Sequence, residues 1–349
     1  MVKEELIINR DSNMDLMRIT AMLLVMLFHI NFFNIALEEA PHYAYTGMEI
    51  FSYSLMKCFS MVCVNMFILV SGWYGIHPRR EKFIRLVFQI WFFSILTYLF
   101  IAIFFDDVEF SVNTLLHLFF FGGYWFIPAY LLLYICSPVL NLFTEKVNKR
   151  TFAYVLVSYF AFQFVFGWLQ QETYFDQGCS PLVFFGMYLL ARYIRLHKYW
   201  IDSIRISRAI ICYLAILLST SAICTFVLRH FGMKWAEILM QYSSPLNCIL
   251  SVLLLIIFSK IKLQSRVINA IGFSCFAAYL LHGSTFFYDK IYYPLGCYAF
   301  HVQSYIGKIF LTIALILVIF AVAIIIDFAR IALWNSVFKT YKKKWPYKR

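Results

Sequence analysis

Arg18 and His29 stand eleven residues apart in the apolar stretch that opens the chain, and Asp15 precedes Arg18 by three. Eleven residues is close to three α-helical turns. All three side chains therefore share one face, with Arg18 and His29 about 16 Å apart along the axis. Titratable groups cost several kcal/mol in hydrocarbon, so such a stripe must face a protein interior or a water-filled cavity. Imidazole accepts a proton near neutrality, which suits His29 to general-base chemistry. A proton relay, or a structural Asp–Arg pair beside a core histidine, fits the same stripe.

The elements that must hold these residues are membrane helices. Of the 349 residues 62% are hydrophobic and only 14% charged, far from the usual soluble mixture. A window of about nineteen residues marks ten spans. They lie near 14–36, 50–74, 83–105, 114–136, 151–170, 180–196, 209–228, 238–259, 268–288 and 305–330. The expected fold is an all-α polytopic bundle of about ten transmembrane helices, a single domain over 1–349 with both termini cytoplasmic. Twenty-five of the 30 basic residues, from Lys3 and Arg10 to Lys342–Lys344 in the tail, fall in the segments this topology puts inside. The net charge of +12 is then topology charge and lipid-surface attraction, and no nucleic-acid partner is implied.

On this topology His29 lies fourteen residues beyond Asp15, about 21 Å along the helix and in the outer half of the membrane. His282, some fourteen residues into the ninth span, reaches nearly the same depth. Two histidines at one level form a base with an oxyanion donor or a base with an orienting partner, and a core histidine bonded to a backbone carbonyl is the alternative. The nine cysteines include no C-x-x-C pair and suggest no metal site. Pairing of Cys179 with Cys297, both expected near the outer face, is left open.

Asp15-Leu16-Met17-Arg18-Ile19-Thr20-Ala21, followed by an aliphatic run to Phe28-His29, resembles the opening helix of the membrane-bound acyltransferase family 3. These are cell-envelope polysaccharide and sugar O-acyltransferases. Phe67-Ile68-Leu69-Val70-Ser71-Gly72-Trp73-Tyr74 is similar to the family's second-helix signature. Arg79, Arg80, Lys82 and Arg85 lie where the family carries a cytoplasmic Arg-x-x-Arg, although the clean pair here reads Lys82-Phe83-Ile84-Arg85. Tyr124-Trp125-Phe126-Ile127 through Ser137-Pro138, and Ser274 through Tyr279-Leu280-Leu281-His282, are similar to two further family segments in the same order.

The resemblance implies an acyl group, acetyl first, moved from acyl-CoA to a hydroxyl of an envelope glycan or lipid-linked sugar in the bacterial cytoplasmic membrane. No permanently bound cofactor is expected; membrane lipid is a partner, and homo-oligomerisation stays open. His29 is the expected base, with Asp15, Arg18 and His282 as further catalytic candidates. Arg18, Arg79, Arg80, Lys82 and Arg85 are candidates for the donor's phosphates, and Asn65, Ser71 and Trp125 for the cavity lining. Transfer of succinyl or another acyl group is an alternative. So is a proton-coupled transporter or flippase of acyl groups or lipid-linked glycan.

Overall fold

The computed structural model describes residues 12–344 apart from 107, 109, 121 and 122, with backbone alone at 200 and 337–344. Lys3 and Arg10 lie outside the described residues, as do the side chains of Lys342–Lys344. The described residues are all-helical, without strands. The helices that matter below are α1 (Ser12–Ile30), α2 (Phe32–Glu39), α3 (Gly47–Ser60), α4 (Cys63–Tyr74), α5 (Arg80–Phe104), α6 (Val112–Phe119), α7 (Phe126–Lys146), α8 (Lys149–Phe162), α9 (Pro181–Leu196), α10 (Ile206–Phe231), α11 (Met233–Leu239), α12 (Pro245–Ser259), α13 (Arg266–Ser274), α14 (Phe276–His282), α15 (Tyr293–His301) and α16 (Tyr305–Lys344).

Several starts are written in the local sequence. Thr46 and Glu49 cap α3 reciprocally, each side chain bonded to the other's backbone N–H. Pro181 and Pro245 open α9 and α12, where a missing N–H costs nothing. Large apolar side chains such as Ile103, Val139, Ile211, Ile306 and Phe310 cover the outside, as a surface facing lipid requires.

Among the described residues seven helical stretches are long and apolar enough to cross a membrane: Ser12–Glu39, Gly47–Tyr74, Arg80–Phe104, Phe126–Lys146, Lys149–Leu169, Ile206–Phe231 and Tyr305–Ser336. Arg266–His282 with Thr285–His301, bent by 67°, makes an eighth. The segments expected near 180–196 and 238–259 are helical but short. At 16 and 15 residues, α9 and α12 extend about 24 and 22 Å, less than the ~30 Å hydrocarbon core. The fourth expected span, 114–136, is corrected by the structure. It divides into α6 and α7 around Gly123, whose φ of 92° ends any helix, and α7 then continues through Pro138 to Lys146.

At the centre, α1 packs against α4 and α13, and α4 against α9 and α12. Glycine sets two of these approaches. A Cβ on Gly72 would stand 2.5 Å from the Tyr188 carbonyl oxygen and 2.8 Å from Ala191 Cβ, and one on Gly272 would meet Asp15 Cβ at 2.7 Å. Gly72→Val must push α4 off α9, and overpacking of this kind costs about 1–3 kcal/mol. Thermal unfolding of the detergent-solubilised protein should show a clear fall in midpoint; a midpoint equal to the parent's would contradict this close approach.

Candidate active site

Both candidate histidines stand where a helix stops inside the protein. His29 occupies the last turn of α1. Two residues on, Asn31 takes a left-handed backbone (φ 46°, ψ 58°) and its side chain accepts the Asn34 N–H that starts α2. Asparagine is among the few residues that tolerate this region. His282 ends α14, and the chain turns at Gly283, where a Cβ would meet the Tyr279 carbonyl oxygen at 2.7 Å.

Helix ends within a membrane leave carbonyls that need donors. Tyrosines supply them. Tyr292 donates to the Met26 carbonyl at 2.7 Å and Tyr288 to that of His29 at 3.2 Å. Tyr124 donates to the Leu280 carbonyl at 2.7 Å. Beside the bend, the Ser284 and Thr97 hydroxyls pair at 2.9 Å.

The two breaks bring the histidines together, with His29 Nδ1 3.0 Å from His282 Nε2. The other ring nitrogen of His282, Nδ1, bonds the Ala278 carbonyl. A carbonyl only accepts, so His282 Nδ1 carries the proton and, in the neutral ring, Nε2 is an acceptor. His29 must then donate from Nδ1, which leaves His29 Nε2 with a bare lone pair. His282 is fully buried, whereas His29 is half-buried and opens on a narrow pocket. Of the three readings open from sequence, the His282 bond to the Ala278 carbonyl is that of a core histidine, and a base with an orienting partner fits the same hydrogen-bond pattern. Both rings also sit at helix C-termini, whose partial negative charge suits a protonated imidazole.

Aromatic and aliphatic side chains wall the cavity: Met22 and Val25 of α1, Val64 and Phe67 of α4, Phe126 of α7 and Phe276 of α14, with Trp125, Tyr242 and Tyr279. On α1 the wall residues continue the stripe of Arg18, Met22, Val25 and His29, so the cavity extends from His29 towards the arginine end of the helix. Trp125 is 38% exposed and lies at the rim, its ring 5.8 Å from that of Tyr242.

The remaining candidates lie elsewhere. Asp15 and Arg18 pair at 2.8 Å, about 16 Å along α1 from His29, and Arg18 rests over the Tyr74 ring. Asn65 and Ser71 are not cavity walls, which corrects that expectation. Asn65 is fully buried and bonds the Tyr242 carbonyl, and Ser71 back-bonds to the Phe67 carbonyl one turn earlier. Arg85 is half-buried over the Phe273 ring, while Arg79, Arg80 and Lys82 are exposed. Cys179 and Cys297 are free thiols. Sequence reasoning missed Tyr242, Tyr288 and Tyr292. The dense aromatics of Tyr288–Tyr293, flanking a segment read as a loop, were the available signal.

With this geometry in view, the comparison with protein families is specific. A family profile described as an acyltransferase domain, that of the acyltransferase 3 family, matches residues 11–329. The chain belongs to that family, and with its apolar helices it is a multi-pass membrane acyltransferase. Comparison with curated proteins and with solved structures gives no match.

His282→Ala would leave the His29 Nδ1 proton without its acceptor and free the ring to turn. Acyl transfer per unit of folded protein should drop by about 10²-fold or more, in the range a positioned base contributes. Transfer rates in membranes containing equal amounts of the two proteins check this; equal rates would remove His282 from the arrangement.

Proposed function

We propose that this chain is an O-acyltransferase that moves an acyl group, acetyl first, from acyl-CoA to a hydroxyl of an envelope glycan or lipid-linked sugar. His29 is the general base, and the setting is a bacterial cytoplasmic membrane with both termini inside. One observation carries this reading: the bare nitrogen of His29 opens on a cavity whose α1 wall runs from it towards Arg18. Coenzyme A has that form, with phosphates at one end and a long arm bearing the thioester at the other. The phosphates would meet the arginine end, where Arg18, Arg79, Arg80, Lys82 and Arg85 are candidate cations, and guanidinium pairs well with phosphate. The arm would lie between Met22, Val25, Val64 and Phe67, delivering its thioester to His29. The acceptor hydroxyl would enter from the Trp125 rim, where an aromatic ring suits the apolar face of a sugar.

In the reaction His29 Nε2 takes the hydroxyl proton as the oxygen attacks the thioester carbon. The imidazolium so formed keeps its Nδ1 bond to His282, and Ala278 holds His282 in the tautomer that accepts it. A positioned base of this kind is worth roughly 10²–10⁴ in rate.

Membranes containing the parent protein or His29→Ala, incubated with radiolabelled acetyl-CoA and crude envelope glycan, test the proposal. Label should enter the glycan with the parent and not with the variant, while both retain coenzyme A binding. Equal incorporation by the two would overturn the assignment of His29.

A further inference from the structure

Attack on a thioester moves an electron pair onto the carbonyl oxygen, and a buried site must supply a donor for it. The histidine pair does not: His29 Nε2 is occupied by the hydroxyl proton, and the other three ring nitrogens are taken up by the His29–His282–Ala278 chain. Apart from His29, only Tyr279, Tyr242 and Trp125 among the cavity walls carry a polar side-chain hydrogen. Building on the acyl-transfer reading above, we propose that the Tyr279 hydroxyl is the oxyanion donor, a catalytic residue on the same short helix as His282.

Three observations separate Tyr279 from its neighbours. Its ring is held on several sides, stacked on Phe276 at 5.8 Å, edge-on to Phe126 at 5.7 Å and against Tyr124 at 5.6 Å. A donor fixed before reaction spends nothing on reorganisation. Tyr279 also precedes His282 by three residues, and their ring centroids are 6.3 Å apart, which sets it one helical turn from the base pair. Tyr242, by contrast, sits in the turn before α12, on a different element from His282. Trp125 is 38% exposed, and Tyr279 only 8%; a hydrogen bond to developing charge is stronger where water is excluded.

The step balances without a further reagent. His29 Nε2 takes the acceptor's hydroxyl proton while the oxygen bonds to the thioester carbon. The carbonyl π pair moves to oxygen, where it receives the Tyr279 O–H bond and the phenol keeps its proton. On collapse the C–S bond breaks, the pair goes to sulfur, and the resulting thiolate takes the proton from His29. Ester and free coenzyme A leave, and both histidines return to their starting tautomers.

Tyr279→Phe removes the donor and keeps the ring. With acetyl-CoA and envelope glycan its kcat should fall by about 10²–10³-fold, with KM for acetyl-CoA within about twofold and coenzyme A binding unchanged. Fluorinated tyrosines placed at 279 keep shape and change phenol acidity, so kcat should track acidity across the series, which a packing role would not produce. A Tyr279→Phe enzyme with kcat near the parent's, or a flat fluorotyrosine series, overturns the assignment while leaving His29 and the donor reading standing. A parent protein that transfers no label from acetyl-CoA sinks that reading and this assignment together.

Discussion

A backbone carbonyl has no proton to give, and at Ala278 that fact propagates through the site. The Ala278 oxygen takes the proton on His282 Nδ1, so His282 Nε2 presents a lone pair, and His29 must turn its own N–H towards it. The lone pair of His29 Nε2 then faces the cavity. A choice between two tautomers of a half-buried ring is thus made on the far side of a second ring, by a group that cannot titrate or change its role. Serine hydrolases orient their histidine with a carboxylate; here a second, fully buried imidazole does the same work without placing a formal charge in the membrane.

Holding those two rings at 3.0 Å requires two helices to end in the middle of the protein, and ending a helix in hydrocarbon exposes carbonyls that lipid cannot satisfy. Asn31 ends one helix and Gly283 bends the other. The carbonyls freed at His29 and Leu280 take hydroxyl protons from Tyr288 and Tyr124, and Tyr292 donates to that of Met26 one turn before the break. The tyrosines therefore serve two ends at once. They make the breaks tolerable and they fix where the breaks meet, which is the constraint that places the imidazoles. The close approaches at Gly72 and Gly272 hold α4 against α9 and α13 against α1.

Much of this was legible in the residue order, because helical periodicity is a local property. The Asp15–Arg18 pair and the shared face of Arg18 and His29 follow from spacing alone, and the level of His282 from counting residues along a span. The all-helical architecture follows from apolar runs in the same way. What could not be read depends on distant contacts. Tyr288 and Tyr292 act on carbonyls 259 and 266 residues away, and nothing near them in sequence announces it. The left-handed turn at Asn31 is one that asparagine permits and the surrounding packing selects. Asn65 and Ser71, polar positions in an apolar run, were candidates for the cavity lining; their donors go to distant or local carbonyls that spacing does not reveal, Asn65 to Tyr242 and Ser71 to Phe67. The fourth span was misplaced because its aromatic run reads as continuous across Gly123, where the backbone is not helical.

The account rests on which nitrogen of His29 holds the proton. Nitrogen-15 magnetic resonance of histidine-labelled protein in lipid, with His29 and His282 assigned by single-site replacement, reads this directly. It should find His29 protonated at Nδ1 and bare at Nε2, with His282 protonated at Nδ1 and its Nε2 accepting across the pair. A proton on His29 Nε2 would contradict it, because the lone pair would then face His282 and the cavity would hold no base.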